Sequence, residues 1–291
     1  MFEVLNLKGR TYFFEAYSNV GIYEKENGEA ILIDSCDHKR MVRSVNRYLT
    51  EKNLRVSTII STHCHVDHIC GNKFFYDTYG CKILSSKPEQ MFISYPDLEP
   101  KFYYSGIDTD KMLNPFFMVE PSEAEVITKD NTPAGFEIID LPGHSFGMIG
   151  VRTPDDVVFL ADAVLSKKTW DEYKLPFFYG VNDAIDTLCK IKEMKATLFV
   201  PSHNAPVSDI SELVQYNIDK LQWTKELIFS ICHGKSFDEI FSSMIKELEL
   251  DIKTQKYPMY AVQLRNFLQA LVEDKKICAV MQGDKFIYQR K

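Results

Sequence analysis

The sequence predicts an α/β fold: a layered core of short strands and amphipathic helices, followed by a small helical region. Three observations predict it. Runs rich in Val, Ile and Phe alternate with segments of helical period, several of those runs end in His or Asp, and beyond about residue 208 successive helices are closed by a hairpin. The 291 residues are enough for one α/β domain of about 200 residues plus an appendage. We expect a layered domain over residues 1–208 and a C-terminal region over residues 209–291.

In chain order, strands are expected at residues 19–24, 30–33, 56–60, 82–85, 136–141, 148–152, 157–161 and 197–200. Between them, Met41, Val42, Val45, Tyr48 and Leu49 fall on one face of a helix, as do Ala184, Ile185, Leu188 and Ile191. Further on, Ser236 and Glu239 have the spacing of a capping box opening a helix to about residue 248, and residues 261–272 read as another helix. Residues 277–281 and 286–288 flank Gln282-Gly283-Asp284 as a hairpin. Helices followed by a hairpin suggest a winged-helix-like arrangement.

Hydrophobic residues make up 45% and charged residues 26%, which excludes a disordered, collagen-like or coiled-coil chain. With 34 Lys plus Arg against 41 Asp plus Glu, the net charge is −7, so there is no global attraction for phosphate backbones. The sequence opens without a basic and apolar leader and has no uncharged apolar run of about 18 residues. Neither secretion nor membrane spanning is expected. The seven cysteines form no CxxC pair, the usage of a reduced compartment, and cytoplasm is the expected location.

The chemistry is concentrated in Ser61-Thr62-His63-Cys64-His65-Val66-Asp67-His68, which follows an apolar strand. Imidazole and carboxylate suit zinc, manganese or iron, and alternation after a strand can turn His63 and His65 to one side and Asp67 and His68 to another. His144 follows the strand at 136–141 through Pro142-Gly143, Asp162 follows the strand at 157–161, and His203 follows the strand at 197–200 through Pro201-Ser202. Four strands thus end in a candidate ligand, as they must if their ends meet on one rim of the core. Gly143 permits a tight turn beside its histidine.

This series, HxHxDH, then Pro-Gly-His, then Asp after a strand, then His, resembles the metallo-β-lactamase superfamily over residues 1–208. Within that superfamily it looks like the glyoxalase II-like hydrolases and the HxHxDH lactonases, and departs from the zinc β-lactamases that carry Cys at the fourth motif. The resemblance implies a four-layer αββα sandwich and two divalent metal ions, zinc first, with iron or manganese as alternatives. It implies His63, His65 and His144 on one metal, Asp67, His68 and His203 on the other, and Asp162 between them. A hydroxide shared by metals about 3.5–4 Å apart would then hydrolyse a small-molecule ester, thioester or lactone, with Asp67 and Asp162 as the catalytic carboxylates. Asp34, after Ile31-Leu32-Ile33, would steady the ligand loop.

A competing motif is Gly143-His144-Ser145-Phe146-Gly147, which fits the G-x-S-x-G elbow of serine hydrolases, with Asp162 and His203 downstream. An elbow leads into a helix, whereas residues 148–152 read as a strand. Cys64 alternates away from its ligand neighbours, Cys70-Gly71-Asn72 reads as the opening of the next helix, and His38 and His233 carry no assignment.

Two aromatic clusters are candidates for a substrate wall, or for core packing: Phe92, Tyr95, Phe102, Tyr103, Tyr104, Phe116 and Phe117, and then Trp170, Tyr173, Phe177, Phe178 and Tyr179. Tyr173 and Tyr179 are candidate hydrogen-bond donors to substrate. From Asp209 onward, twelve basic and twelve acidic residues balance, unlike a DNA reader, and the basic residues that bind glutathione in glyoxalase II have no convincing match. RNA phosphodiester hydrolysis is the alternative activity. A metal-binding regulator whose appendage contacts nucleic acid is the non-enzymatic alternative. The diiron oxygen reductases of the superfamily use a carboxylate where His65 stands and carry a flavin domain, so hydrolysis is favoured over redox chemistry.

Overall fold

A computed structural model describes residues 4–104, 119–253 and 256–291. One sheet runs in sequence order: β1 (Val4–Lys8), β2 (Thr11–Phe14), β3 (Val20–Glu24), β4 (Glu29–Ile33), β5 (Arg55–Ile60), β6 (Lys82–Ser85) and β7 (Glu125–Val126). A second has the order β11-β10-β9-β8, from β8 (Glu137–Asp140), β9 (Ile149–Arg152), β10 (Val157–Ala161) and β11 (Leu198–Pro201). The helices described are α1 (Lys39–Glu51), α2 (Val66–Ile69), α3 (Asn72–Tyr79), α4 (Lys87–Ser94), α5 (Leu98–Tyr104), α6 (Lys167–Tyr173), α7 (Val181–Lys192), α8 (Ser211–Ile231), α9 (Phe237–Glu247) and α10 (Tyr257–Glu273).

Strand alternation builds the layers. Phe13, Ile31, Ile33 and Ile60 of the first sheet pack with Ile149, Val151, Val157 and Phe159 of the second, forming the inner core. Their sequence neighbours point outward: Phe14, Ala30, Leu32 and Ile59 pack on Met41, Val42, Val45 and Leu49 of α1 and Phe75 of α3. Val158 and Leu160 pack on the other outer face, against Trp170 of α6, Leu188 of α7 and Leu221 of α8. The result is the αββα sandwich, helices outside two facing sheets.

The expected strands are present with bounds shifted by a few residues, and the Ser236–Glu239 capping box opens α9. β1 and β2 were not anticipated. β1 is a half-exposed edge strand, and its Leu5, Asn6 and Lys8 give no clean period of two. The C-terminal region holds α8, α9 and α10 with a sheet of order β12-β14-β13, from β12 (Lys235–Ser236), β13 (Ile277–Gln282) and β14 (Lys285–Arg290). Its apolar core is continuous with that under the second sheet. Among the described residues, no helix is long and apolar enough to cross a membrane.

Candidate metal centre

Parallel pairing of β4 with β5 brings Asp34 beside the segment that follows β5, and parallel pairing of β10 with β11 brings Asp162 beside His203. The backbone at Asp34 and at Ala161, just before Asp162, lies in the left-handed region with φ of 61° and 51°. Both carboxylates are thus held at strained strand ends, a cost that surrounding contacts must offset. At Gly143, φ is 129° and an added Cβ would lie 2.4 Å from the Ala184 backbone. Only glycine lets the turn carrying His144 press against α7.

Seven side chains meet there. His63, His65 and His144 form one group whose ligand atoms lie within 4.8 Å of one another, and Asp67, His68 and His203 form another. A third group of the same span, His63, His68 and Asp162, joins them. His65 Nδ1 is 3.1 Å from His63 Nε2 and 2.9 Å from His144 Nε2. Asp162 Oδ2 is 3.4 Å from His144 Nε2 and 3.2 Å from His203 Nε2, and Asp162 Oδ1 is 3.5 Å from His68 Nε2.

The outward ring nitrogens decide the tautomers. His144 Nδ1 donates to the Phe177 carbonyl at 3.0 Å, and His203 Nδ1 donates to the Tyr17 carbonyl at 2.6 Å. Thr62 Oγ1 gives its proton to Asp34 at 2.8 Å and therefore accepts from His63 Nδ1 at 3.0 Å. His68 Nδ1 donates to Asp34 Oδ2 at 2.8 Å, and His65 Nε2 faces Glu99 at 3.3 Å. In the neutral trio of His63, His65 and His144, three nitrogen lone pairs consequently converge with no proton between them. That arrangement is repulsive on its own and fits a bound cation.

Ionisation divides the centre in the same way. Burial pushes His65 down to about 4 and His144 to about 3, and burial with the neighbouring His68 and His65 holds His63 well below the usual imidazole range. Burial also opposes the charged forms of His68 and His203, but Asp67 and Asp162 outweigh it, raising His68 and pushing His203 up to about 9. Burial works against the Asp162 carboxylate, yet His203, His68 and His144 hold it well below the usual range. One half of the centre is neutral and the other balances charge, a donor set suited to divalent cations.

Residues invisible in the motif hold this geometry. Ser18 Oγ donates to Asp67 Oδ2 at 2.6 Å. The fully buried Glu89 of α4 accepts from Cys64 N at 2.9 Å through Oε2, and from Ser145 Oγ at 2.8 Å and Gly147 N at 2.7 Å through Oε1. The serine-elbow reading fails here, since Ser145 is buried against Glu89 and the chain continues into β9 instead of a helix. Cys64 packs with Ile69 and Ile93, and Cys70 belongs to none of the ligand groups.

The centre opens into a cavity lined by Tyr17, Leu165, Thr169, Tyr173, Phe177 and Met259 among others. Tyr173 reaches it, with its hydroxyl 3.4 Å from that of Tyr17. Tyr179 does not line this cavity; its ring lies against that of Phe146, tilted by 31° with centroids 4.0 Å apart, and borders a neighbouring recess. Trp170 and Phe178 are core residues, while Phe116 and Phe117 lie outside the described residues.

A sequence model described as the Metallo-beta-lactamase superfamily matches residues 14–203. The chain belongs to the metallo-beta-lactamase superfamily. Within it, the chain is 26% identical over 149 residues to a hydroxyacylglutathione hydrolase of Haemophilus influenzae, covering 49% of this chain and 64% of that one. It is 27% identical over 146 residues to a hydroxyacylglutathione hydrolase of Pelagibacter ubique, covering 50% of each. The chain thus spans about half to two thirds of the length of these two relatives. A Beta-lactamase-like protein 2 homolog of Drosophila melanogaster is 20% identical over 268 residues, 89% of this chain and 84% of that one. A beta-lactamase domain protein from Burkholderia ambifaria superposes with a TM-score of 0.72 at 16% identity, covering 99% of this chain and 94% of that chain, and shows the shared fold.

Proposed function

We propose that this superfamily hydrolase cleaves an ester, thioester or lactone of a small molecule at a centre of two divalent cations, zinc first. The observation that carries the reading is the convergence of the His63, His65 and His144 lone pairs beside a second group that contains Asp67, with Asp162 in the group that joins the two. His63, His65 and His144 would hold one cation, Asp67, His68 and His203 the other, and Asp162 would contact both. When bound, such a pair supplies Lewis acidity and lowers the pKa of water toward about 7.

The chain's own groups do the rest. Asp67, held by Ser18, and Asp162 present carboxylates at the cavity floor, where the proton of an attacking water can be accepted. The Tyr17 and Tyr173 hydroxyls stand at its wall as donors for a polar substrate atom. Leu165, Pro176, Phe177 and Met259 exclude water from an apolar acyl group, and no Lys or Arg appears among the described lining residues. That wall favours a neutral carbonyl substrate over an RNA phosphodiester.

Elemental analysis of protein purified without a chelator or a metal-affinity tag tests the reading. We expect about two metals per chain, falling in His144→Ala and Asp162→Ala, and His65→Ala losing metal and turnover together. Full metal content and activity in His65→Ala would refute the assignment, and a panel of esters, thioesters, lactones and RNA with the metal supplied reads out the substrate class.

A further inference from the structure

We infer that α10 is a positioning element of the metal centre, acting through a two-bond clamp by Gln263 and Asn266 on the backbone of Phe178. The inference rests on the reading of His144 as a ligand. The loop between Tyr173 and Gly180 is bonded from both sides. Towards the centre, Phe177 gives its carbonyl to His144 Nδ1 at 3.0 Å, and Gly180 N donates to the Gly143 carbonyl at 3.0 Å. From the opposite side, Gln263 Oε1 accepts from Phe178 N at 2.9 Å and Asn266 Nδ2 donates to Phe178 O at 2.7 Å. Tyr260 adds a bond from its hydroxyl to the Tyr173 carbonyl at 3.2 Å.

Tyr260, Gln263 and Asn266 recur at intervals of three on one helix, so one face of α10 reads three points of this loop. Gln263 is fully buried on a helix whose neighbouring positions are Leu264, Phe267 and Leu268, and its Nε2 has no hydrogen-bond partner among the described residues. Packing alone would favour an apolar residue there, because an amide with an unpaired donor costs free energy on burial. The acceptor bond to Phe178 is what the glutamine supplies. Phe178 held at both N and O fixes the adjoining peptide, which includes the carbonyl that sets the His144 tautomer. It also fixes the Phe177 ring, which walls the cavity beside Met259 of the same helix. The C-terminal region thereby reaches the centre through a single peptide step.

The test uses the full chain loaded with zinc, and follows zinc transfer to a chromophoric chelator together with the nitrogen NMR shifts of His144. Gln263→Met and Asn266→Leu each remove one arm of the clamp, while Ser236→Ala weakens the capping box of α9 and serves as the control for general destabilisation. Both clamp variants should release zinc roughly tenfold faster, at the low end for residues that orient a ligand, and shift the His144 Nδ1 resonance as its bond to the Phe177 carbonyl loosens. Ser236→Ala should keep parent release and the parent Nδ1 shift at a comparable or lower melting temperature. Parent-like release and an unshifted Nδ1 resonance in both clamp variants overturn the clamp. His144→Ala separates the two failures: if it loses zinc while the clamp variants do not, only the clamp falls, and if it retains parent zinc content, the ligand assignment falls with it.

Discussion

Asp34 shows how much one residue carries at this centre. Its Oδ1 accepts from Thr62 N at 2.7 Å, and its Oδ2 accepts from both Thr62 Oγ1 and His68 Nδ1 at 2.8 Å. One carboxylate therefore starts the ligand loop, sets the His63 tautomer through Thr62 and sets the His68 tautomer directly. The backbone there is left-handed, a conformation that Asn tolerates at least as well as Asp. Asp34→Asn consequently leaves the turn intact and puts an amide N–H against one of three donors. We expect metal affinity to fall about 10–100-fold with little loss of secondary structure, read by chelator competition and circular dichroism. Unchanged affinity would show that the loop holds its shape without this acceptor. The seven candidate ligands were legible because each falls in a short segment that follows a strand, a pattern that needs only a few residues of sequence. Ser18 and Glu99 were not legible, since nothing beside them in the chain marks a partner: Ser18 meets Asp67 across 49 positions.

At the scale of elements, α4 is the brace between the two histidine-bearing loops. Glu89 takes three donors, from Cys64 in the first loop and from Ser145 and Gly147 in the second, and it is wholly buried. A carboxylate in that position persists only because its partners compensate for lost solvation. Glu89→Ala leaves two backbone N–H groups unpaired and should destabilise the protein by about 3–5 kcal/mol. Glu89→Gln keeps one accepting oxygen and should cost about 1–3 kcal/mol, one unpaired donor's worth. Chemical denaturation measures both, and equal stability of Glu89→Ala with the parent would sink the brace. The strands with a buried face were readable from period two, and α1 from its apolar stripe. α4 gives no such sign, because its single acidic residue, Glu89, looks like any surface glutamate until the fold brings Cys64, Ser145 and Gly147 around it.

For the whole molecule, the sequence boundary near residue 208 marks a change of texture, while the apolar core runs across it. Leu160, Trp170 and Leu188 pack in one cluster with Val214, Leu221, Leu264 and Phe267. Asn217 of α8 is buried at the seam, accepting from Leu165 N at 3.1 Å and Trp170 Nε1 at 2.8 Å and donating to Leu165 O at 2.8 Å. Leu165 lines the cavity, so the seam and the centre share a wall. This continuity was hidden in the sequence, because a helix that covers a sheet and a helix of a separate domain have the same periodicity. A chain ending at residue 208 would expose the apolar surface that α8 and α10 cover beside α6 and α7, and leave the Leu165 and Trp170 polar groups unpaired. We expect that fragment to show no cooperative thermal transition and to bind dyes that report exposed apolar surface, whereas the full chain melts in a single transition. Asn217→Ala within the full chain tests the same seam more gently: loss of three buried bonds should cost about 2–4 kcal/mol. A fragment that melts cooperatively near the temperature of the full chain would instead make residues 1–208 an independent folding unit, with the C-terminal helices merely docked upon it.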